Sequence, residues 1–500
     1  MKSVKLLLVV VSITLLASCS KDDGKIDFTF LQVNDVYEIA PIQGGKFGGM
    51  ARVQTVHEEL LKENPNTMLV MAGDFLNPSL LGTVKYNGER IRGMQMIETM
   101  NAMNFGLVAI GNHEFDLGAK DLQKRLNESN FPWISANVFY KQGDTVSQFY
   151  KEVEGKKKYI HKTFIKEFTD ADGTSIKVGF ISVCVPSNPK MYVSYTDMHK
   201  EAKASYESLK DKTDVIFGLT HVKVSDDKKI VEALPNIPLI MGGHEHNNML
   251  VPVGNSAIAK ADANAKTAYI HRISFDKESK KATVVSELKE INETVSIDTR
   301  VGEVVAKWQQ ILNTKIKDII SNPDEVIYTT KVPLDGKDKP IRSIQTNLGD
   351  VVTKSMSFAF NDKVDCALVN GGSIRIDDEL AGEISAVDIF RVLPYGGAVL
   401  KVKIKGSLLQ EVLDYGVKAA GTGAYLQRFN AEKKNDTWFI AGKKINHQKT
   451  YTVAFSDYLL KGFDIPFLSP KNKGVLNVYQ PKSSEMAYDI RKAVILYLKN

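Results

Sequence analysis

Cysteine is scarce in this chain, and so are long apolar runs and an excess of charge of either sign. Three cysteines in 500 residues exclude a small disulfide-stapled scaffold. Lysine and arginine number 65 and aspartate and glutamate 59, so the net charge of +6 gives no argument for a dedicated nucleic-acid-binding protein. The hydrophobic fraction of 43% and the charged fraction of 25% exclude a disordered or fibrous chain. The length allows two or three domains of about 100–200 residues each.

The N-terminus carries an apolar segment, residues 6–17, behind Lys2 and Lys5. The segment has the length of the hydrophobic part of a secretory signal and is too short to span a bilayer comfortably. No later stretch reaches the about 18 uninterrupted apolar residues of a membrane helix. We therefore expect a body outside the cytoplasm that has no membrane-spanning helix.

The segment ends in Leu16-Ala17-Ser18-Cys19, which resembles the bacterial lipoprotein signal. This resemblance implies a signal peptide over 1–18, lipidation of Cys19 and a short tether over 19–24. It places the protein in the bacterial cell envelope, on the periplasmic or surface face, with the lipid anchor as its membrane attachment. The alternative is an ordinary cleaved signal with an incidental cysteine. The other two cysteines, Cys184 and Cys366, lie in apolar runs and are expected as buried thiols, with a disulfide between them as the alternative.

From residue 25 to about 292, short apolar runs alternate with amphipathic stretches. Helical patterns occupy 49–63 and 119–127. The apolar runs predict buried strands because they are short and bounded by polar or glycine residues. The predicted strands are 28–33, 67–72, 106–110, 177–183, 214–219 and 237–241. This alternation of strands and helices predicts a layered α/β core.

Polar residues follow five of these strands directly. They are Asp35, Asp74, Asn112, His221 and the pair His244 and His246. In an open α/β sheet the ligand lies outside the carboxyl ends of the strands, so these side chains are expected at one edge. Mixed oxygen and nitrogen donors suit Mn, Zn, Co or Fe, and two metals that share a carboxylate suit in-line displacement at phosphorus.

The order of these motifs resembles the calcineurin-like metallophosphatases, and specifically the 5′-nucleotidase family. That family reads Asp-x-His, Gly-Asp, Gly-Asn-His-Glu-Phe-Asp, a strand-end His and Gly-His-x-His. The resemblance implies a four-layer α/β/β/α metallophosphatase domain over 25–292 that binds two divalent ions. One ion would be held by Asp35, Asp74 and His246, and the other by Asp74, Asn112, His221 and His244.

The resemblance also implies a catalytic pair, His113 and Asp116. His113 would stabilise charge on the transferring phosphoryl group or protonate the leaving oxygen, and Asp116 would orient the imidazole and favour its charged form. The nucleophile would be a metal-bound water of lowered pKa.

One position departs from the family pattern, because Tyr37 stands where a histidine ligand is expected. Three interpretations stay open. Tyr37 binds a metal as phenolate, which favours Fe(III) since free phenol has a pKa near 10. Alternatively, the first site is weaker and is filled by water or Glu38. In the third interpretation Tyr37 is structural and the enzyme is damaged.

The second half begins with a connecting helix over 293–324, whose apolar face is expected to pack on a domain. An α/β region over 325–500 follows. Its Asn370-Gly371-Gly372 turn lets backbone approach a ligand, and Arg375 behind it suits phosphate or carboxylate.

This region resembles the 5′-nucleotidase C-terminal domain, so the whole chain is expected as a two-domain α/β protein. The implied substrate-binding residues are Arg342, Asn370, Gly372, Arg375, Tyr395, Tyr458 and Asp464. Tyr395 and Tyr458 would sandwich a nucleobase where the family has phenylalanine. Loop 462–467 lacks two glycines of the family pattern, so its backbone path is expected to differ.

These observations favour an extracytoplasmic two-metal phosphohydrolase that releases phosphate from nucleoside 5′-monophosphates. No nucleic-acid polymer is expected as a partner. The first alternative is a phosphatase for another small ester, such as a sugar phosphate or a nucleotide diphospho-compound. The second is a lipid-tethered protein that binds nucleotides without hydrolysis.

Overall fold

The structure is a computed structural model that describes residues 23–187, 189–317, 319–323 and 325–500. The predicted signal peptide, Cys19 and most of the predicted tether lie outside the described residues. Across the described ranges, every helix falls short of the length and hydropathy needed to cross a membrane.

The first half of the chain alternates strands and helices, as the sequence predicts. Its strands are β1 (Lys25–Val33), β2 (Thr67–Met71), β3 (Lys85–Tyr86), β4 (Glu89–Arg90), β5 (Leu107–Ala109), β6 (Trp133–Ile134), β7 (Val138–Gln142), β8 (Thr145–Ser147), β9 (Tyr150–Val153), β10 (Lys156–Tyr159), β11 (Thr163–Thr169), β12 (Ser175–Ile181), β13 (Val193–Tyr195), β14 (Val215–Thr220), β15 (Leu239–Gly242), β16 (Met249–Val253), β17 (Ser256–Lys260), β18 (Thr267–Asp276) and β19 (Lys281–Glu290). Its α-helices are α1 (Met50–Glu63), α2 (Leu80–Thr83), α3 (Met94–Met103), α4 (Ala119–Glu128), α5 (Met198–Leu209) and α6 (Val224–Ala233). Short 3₁₀ helices cover His113–Asp116 and Ala263–Ala265.

Two six-stranded sheets form the centre of this half. The first has the order β19-β18-β1-β2-β5-β6 and the second the order β11-β12-β14-β15-β17-β16. In the first sheet β1, β2, β5 and β6 run parallel, and β18 and β19 add antiparallel strands at one edge. In the second sheet β12, β14, β15 and β17 run parallel, and β11 and β16 close the two edges as antiparallel strands. Parallel inner strands bring their carboxyl ends to one side of each sheet.

Side-chain alternation along β1 shows how the layers pack. Phe28 and Phe30 point between the two sheets, where they contact Phe217. Leu31 and Val33 point the other way, into the core formed with α1, α3 and α4. Helices α5 and α6 cover the outer face of the second sheet. Successive strand residues face opposite sides of a sheet, so these short apolar runs build the expected α/β/β/α arrangement.

Helix α7 (Thr299–Lys317) follows the two sheets and packs on α1 and α3. Trp308 is fully buried in this contact, and its indole Nε1 donates a hydrogen bond to Glu98 Oε2 at 3.0 Å. The prediction that the apolar face of this helix packs on a domain is confirmed.

The second half is again α/β. Its strands are β20 (Val326–Asp335), β21 (Cys366–Asn370), β22 (Glu379–Ser385), β23 (Val399–Lys405), β24 (Leu426–Phe429), β25 (Ala431–Lys434), β26 (Thr437–Ile440), β27 (Lys443–Lys444), β28 (Thr450–Ser456) and β29 (Val475–Tyr479). Its helices are α8 (Asp338–Ile341), α9 (Asn347–Phe358), α10 (Ala386–Val392), α11 (Gly406–Lys418) and α12 (Ile490–Leu498), with 3₁₀ helices at Gly371–Ser373, Leu459–Lys461 and Met486–Tyr488. A five-stranded mixed sheet, β24-β21-β28-β23-β29, forms its centre. The two-domain α/β prediction is confirmed, and the domain bounds 25–292 and 325–500 stay a proposal.

Cys184 and Cys366 are both buried free thiols, one in each half of the chain. The expectation of two core thiols is therefore confirmed, and the disulfide alternative is wrong.

Candidate active site

The carboxyl ends of both sheets meet at one place, and the predicted ligands lie there. Asp35, Asp74 and Asn112 follow strands β1, β2 and β5 of the first sheet. The second sheet contributes His221 after β14 and the pair His244 and His246 after β15. Asp35, Asp74 and His244 have left-handed backbones, with φ of 52°, 58° and 83°. Such strained backbones in non-glycine residues persist where the surrounding structure holds them, and they cluster at functional sites.

Gly73 allows the loop after strand β2 to lie close to His221, which follows a strand of the second sheet. It has φ of 86°, and a Cβ atom there would lie 2.7 Å from His221 Nδ1 and 2.8 Å from the Gly111 nitrogen. A side chain at this position would therefore push His221 away from Asp74.

Asp35, Asp74 and His221 form the centre of the cluster, with one donor atom of each within 4.8 Å of the others. His221 Nδ1 lies 2.7 Å from the Ala72 carbonyl oxygen, which can only accept, so Nδ1 carries the proton. In the neutral imidazole, the lone pair of Nε2 then faces Asp74 Oδ2 at 3.0 Å and Asp35 Oδ1 at 4.0 Å. Both of these oxygens are buried and accept no hydrogen bond from the described residues. Three converging lone pairs fit a divalent cation.

The pKa values at this cluster agree with that fit. Burial alone would raise the pKa of Asp35, but the facing His221 and His246 hold it well below its usual range. Burial lowers the pKa of His221, and the charges of Asp74 and Asp35 outweigh it and raise the pKa to about 9. The carboxylates thus stabilise a positive charge, and a bound divalent cation would displace the imidazole proton.

The remaining predicted ligands flank this centre on two sides. His244 Nδ1 lies 3.2 Å from Asn112 Oδ1, and the His244 backbone nitrogen donates to Asp35 Oδ2 at 3.0 Å. His246 Nε2 lies 3.4 Å from Asp35 Oδ1. The structure brings all six predicted ligand residues together.

Tyr37 also lies in this cluster, buried to 2% exposure, with its hydroxyl 3.2 Å from His246 Nε2. Burial raises the pKa of this phenol well above its usual value, and the negative charges of Asp74 and Asp35 add to the effect. Glu38 points elsewhere, because its Oε1 accepts from the Leu80 nitrogen at 3.1 Å and lies 3.8 Å from Arg391 Nε. The alternative in which Glu38 fills the missing ligand position is therefore wrong.

His113 and Asp116 lie on the 3₁₀ helix beside the cluster and contact each other, with 2.9 Å between Nδ1 and Oδ2. The His113 backbone nitrogen donates to Asp74 Oδ1 at 2.7 Å, which places the imidazole next to the candidate ligands. Burial lowers the pKa of His113, but Asp116 and Asp74 raise it to about 10. These two carboxylates therefore favour the protonated form of the His113 imidazole.

A cavity of about 570 Å³ opens on the other side of Asp116. Six of the seven predicted substrate-binding residues line it: Asn370, Gly372, Arg375, Tyr395, Tyr458 and Asp464. Asn370 Nδ2 donates to Asp464 Oδ2 at 2.7 Å, and the Tyr458 hydroxyl donates to Asp464 Oδ1 at 3.4 Å. Tyr395 and Tyr458 remain 57% and 37% exposed, so their rings are accessible.

Arg342, the seventh predicted residue, lies in a different cavity. This cavity of about 610 Å³ lies over the candidate ligands and is lined by Asp74, His113 and His244. Arg342 Nη2 pairs there with Asp338 Oδ1 at 2.7 Å. Asp116 lines both cavities, so the two cavities adjoin each other at this residue.

Comparison with known proteins assigns both halves. Residues 28–248 match the model of the calcineurin-like phosphoesterases, and residues 326–469 match that of the 5′-nucleotidase C-terminal domain. The chain therefore has a calcineurin-like phosphoesterase domain followed by a 5′-nucleotidase C-terminal domain. It is therefore a metal-dependent phosphoesterase.

Several relatives of this phosphoesterase are 5′-nucleotidases. The human 5′-nucleotidase is 26% identical over 450 residues, which cover 81% of this chain and 74% of that protein. The venom 5′-nucleotidase of Crotalus adamanteus is 27% identical over 460 residues, covering 84% and 75%. The solved structure of a 5′-nucleotidase precursor from Thermus thermophilus has the same fold, with a TM-score of 0.65 at 22% identity, covering 95% of this chain and 96% of that one.

Sequence reasoning gave no role to Glu114, although it lies inside the motif that carries His113. Its carboxylate accepts hydrogen bonds of 2.7 to 3.2 Å from the backbone nitrogens of Asp74, Phe75, Leu76 and Gly111. Burial and the charge of Asp74 raise its pKa to about 7. In this phosphoesterase Glu114 holds the loop that presents Asp74. The position of Glu114 inside the motif was a sequence signal for a role at the site. Its hydrogen-bond partners are backbone groups, however, and a sequence pattern does not show them.

Asp377 is the second residue that the sequence did not reveal. It belongs to the second half of the phosphoesterase, yet its Oδ2 lies 3.6 Å from Nε2 of both His113 and His246. A carboxylate from one half thus enters the metal-ligand cluster of the other.

Proposed function

We propose that this phosphoesterase hydrolyses nucleoside 5′-monophosphates to a nucleoside and phosphate. The observation that carries the proposal is the junction at Asp116. On one side are the candidate metal ligands and a protonated His113, and on the other is a cavity with two accessible tyrosine rings. A molecule with a phosphate at the candidate metal ligands and a base at the tyrosine rings is a nucleotide.

The residues that would hold one metal ion are Asp35, Asp74 and His246, and those for the other are Asp74, Asn112, His221 and His244. Bound there, two divalent ions supply a water nucleophile of lowered pKa and neutralise charge on the phosphoryl oxygens. Oxygen and imidazole donors suit Mn, Zn, Co or Fe.

The protein's own groups perform the remaining tasks. His113 donates its Nε2 proton toward the phosphoryl or leaving oxygen, and Asp116 holds the imidazole through Nδ1. Arg375 and Arg342 place positive charge beside the path of the phosphate. Tyr395 and Tyr458 stack on the base, an interaction worth roughly 1–3 kcal/mol per base.

Two observations favour a second candidate, a nucleotide diphospho-compound. Arg90, Lys190 and Lys461 line the tyrosine cavity together with Arg375, which is more positive charge than a nucleoside needs. Phe463 also lies against Tyr458, with ring centroids 5.8 Å apart. A third aromatic ring therefore borders the proposed base site beside Tyr395 and Tyr458. A binding protein without hydrolytic activity has no use for the ordered His113–Asp116 pair.

The N-terminal residues support a location outside the cytoplasm. We propose that Cys19 is lipidated and tethers the enzyme to the bacterial envelope, where released nucleosides become available for uptake.

The test is phosphate release from AMP by protein that starts after Cys19, with chelator and then with added Mn, Zn, Co or Fe. Ribose 5-phosphate and a dinucleotide diphosphate are the comparison substrates, and His113→Asn is the inactive control. Metal-dependent release with preference for AMP is the expected result. Release from the dinucleotide alone would select the second candidate, and no release from any substrate would refute hydrolysis.

A further inference from the structure

Lys260 is the last residue of strand β17, and its side chain is fully buried beside the loops that carry the candidate histidine ligands. Its Nζ donates to the carbonyl oxygens of Val222 and Gly243 at 2.6 and 2.7 Å and to the carboxylate of Glu245. An ammonium has three N–H donors, so all of them are used. Lysine is almost never fully buried unless it is paired, so this position depends on its three acceptors.

The three groups that Lys260 binds belong to the chain neighbours of the candidate histidine ligands. One follows His221 directly, one precedes His244, and one stands between His244 and His246. A single side chain therefore holds both histidine loops of the second sheet, and it does so through their backbone and through the residue between two ligands.

Two carboxylates extend this network. Asp227 of helix α6 is fully buried, with Oδ2 2.9 Å from Lys260 Nζ, and its Oδ1 accepts from the Thr220 hydroxyl at 2.7 Å. Thr220 is the last residue of strand β14. Glu245 Oε1 accepts from the Val224 nitrogen at 2.7 Å. The network therefore ties the end of β14 and the second histidine loop to the start of helix α6.

The chain at Gly242 leaves room for this ion pair. A Cβ atom there would lie 2.9 Å from Lys260 Cε and 3.2 Å from Asp227 Oδ2, so a side chain would displace the lysine. The next residue, Gly243, donates its backbone N–H to the Thr220 carbonyl oxygen at 3.0 Å. The two histidine loops thus lie side by side, with the ammonium packed against both.

We propose that Lys260 is a positioning residue of the metal centre, which holds the two histidine loops where their imidazoles reach the carboxylates of the first sheet. This inference rests on the proposed two-metal function. Side chains that bind a metal must be held within about 0.5 Å of the productive geometry by the residues that support them. Without the ammonium, the buried carbonyl oxygens of Val222 and Gly243 lose their donor, and the backbone beside the histidines moves to find another.

The test separates positioning from a general contribution to folding, in the chain that starts after Cys19. Lys260→Met removes the three donors and leaves the charge of Asp227 unpaired. Lys260→Met/Asp227→Asn also removes that charge and keeps an oxygen for Thr220, so it should regain stability without regaining the donors. Leu409→Ala, in the buried core of the second half, is the control for lost stability, because such a change destabilises to a comparable extent.

Mn²⁺ affinity is measured by calorimetry, bound ions per chain by elemental analysis, and coordination by the visible spectrum of bound Co²⁺. Urea unfolding in chelator gives the stability of each variant. We expect two ions per wild-type chain. Both Lys260 variants should bind Mn²⁺ roughly 10- to 100-fold more weakly and change the Co²⁺ spectrum, whereas Leu409→Ala should keep the wild-type affinity and spectrum.

Unchanged affinity and spectrum in both Lys260 variants would overturn the inference. Recovery of the affinity together with the stability in the double variant would also overturn it, because Lys260 would then act only on folding. An equal loss of affinity in Leu409→Ala would have the same meaning. If Lys260→Met does not fold, the double variant decides. Failure of the wild-type chain to bind two ions would instead refute the two-metal function itself, and the inference with it.

Discussion

Arg375 donates a hydrogen bond to Asp116 across the domain boundary, with 2.9 Å between Nη2 and Oδ2. The same oxygen accepts from His113 Nδ1 at 2.9 Å and from Asn77 Nδ2 at 2.8 Å. Burial would raise the pKa of Asp116, but His113 and Arg375 together hold it below its usual range. One carboxylate oxygen therefore joins the proposed proton donor of the first half to the substrate cavity of the second.

Arg375→Ala should lower kcat/KM for AMP by roughly 100-fold, the loss typical of removing one preorganised donor from a transition state. The guanidinium both faces the path of the phosphate and restrains Asp116, so kcat should fall and KM should rise. Steady-state kinetics of phosphate release measure both values.

Lys46→Met is the control for Arg375, because it removes a different cross-domain ion pair. Lys46 Nζ lies 2.8 Å from Glu383 Oε2 on the surface, and exposed pairs contribute little. Its kinetics should equal those of wild type. Equal losses in both variants would mean that Arg375 acts only through domain docking.

Tyr395→Ala and Tyr458→Ala should each raise KM for AMP by roughly 5- to 150-fold, the equivalent of losing 1–3 kcal/mol of base stacking. The corresponding phenylalanine variants keep the flat ring and should remain near wild type. Ribose 5-phosphate lacks a base, so its kinetics should be the same in all four variants. A parallel loss with ribose 5-phosphate would contradict base stacking by these rings.

The positions of the candidate metal ligands were predictable from the sequence because each follows a buried strand by one to four residues. An apolar run predicts a strand, and the carboxyl ends of parallel strands lie at one edge of the sheet. A polar residue shortly after such a strand is therefore expected at that edge. Asp35, Asp74 and His221 illustrate this, because their closeness to a strand end in the sequence also determines their place in the fold.

Other parts of the site depend on contacts between distant segments, which a local pattern does not contain. Asp377 reaches the centre by a left-handed backbone and by docking against residues more than 100 positions away. Glu38 follows Tyr37 directly, yet it turns toward Arg391 because that cation comes from the second half. Arg342 lines the metal-side cavity instead of the tyrosine cavity because helix α8 ends there.

Lys260→Met should destabilise the fold by about 3–5 kcal/mol, the usual cost of removing one partner from a buried ionic network. Lys260 is fully buried, and its Nζ donates to the carbonyl oxygens of Val222 and Gly243 and lies 2.9 Å from Asp227 Oδ2. The substitution leaves the charge of Asp227 unpaired and releases the backbone just before His244. Urea unfolding of the metal-free protein measures the change.

Lys229→Met is the matched control, because this lysine is 62% exposed and pairs with Asp226 at 3.1 Å. A surface change of this kind should remain within about 0.5 kcal/mol of wild type. If Lys260→Met unfolds at the same urea concentration as the control, Lys260 does not stabilise this loop.

His271 should make the fold sensitive to acid in a way that one substitution removes. Burial lowers its pKa to about 3, and the neutral ring bonds Ser286 Oγ at 2.8 Å and Gln32 Oε1 at 2.9 Å. The unfolded chain has a histidine pKa near 6.5, so between about pH 6.5 and 3 it binds a proton that the fold excludes. Stability from this residue is thus present above pH 6.5 and falls on acidification, by up to about 1.4 kcal/mol per pH unit.

The free energy of unfolding of wild type and His271→Gln, measured in chelator at pH 7, 5.5 and 4, checks this expectation. The wild-type protein should lose more stability over this range than His271→Gln, because glutamine has no proton to bind. His447→Gln replaces an exposed histidine and is the matched control for the substitution itself. Identical slopes for wild type and His271→Gln would contradict the burial of a neutral imidazole between the first sheet's strands β1 and β19.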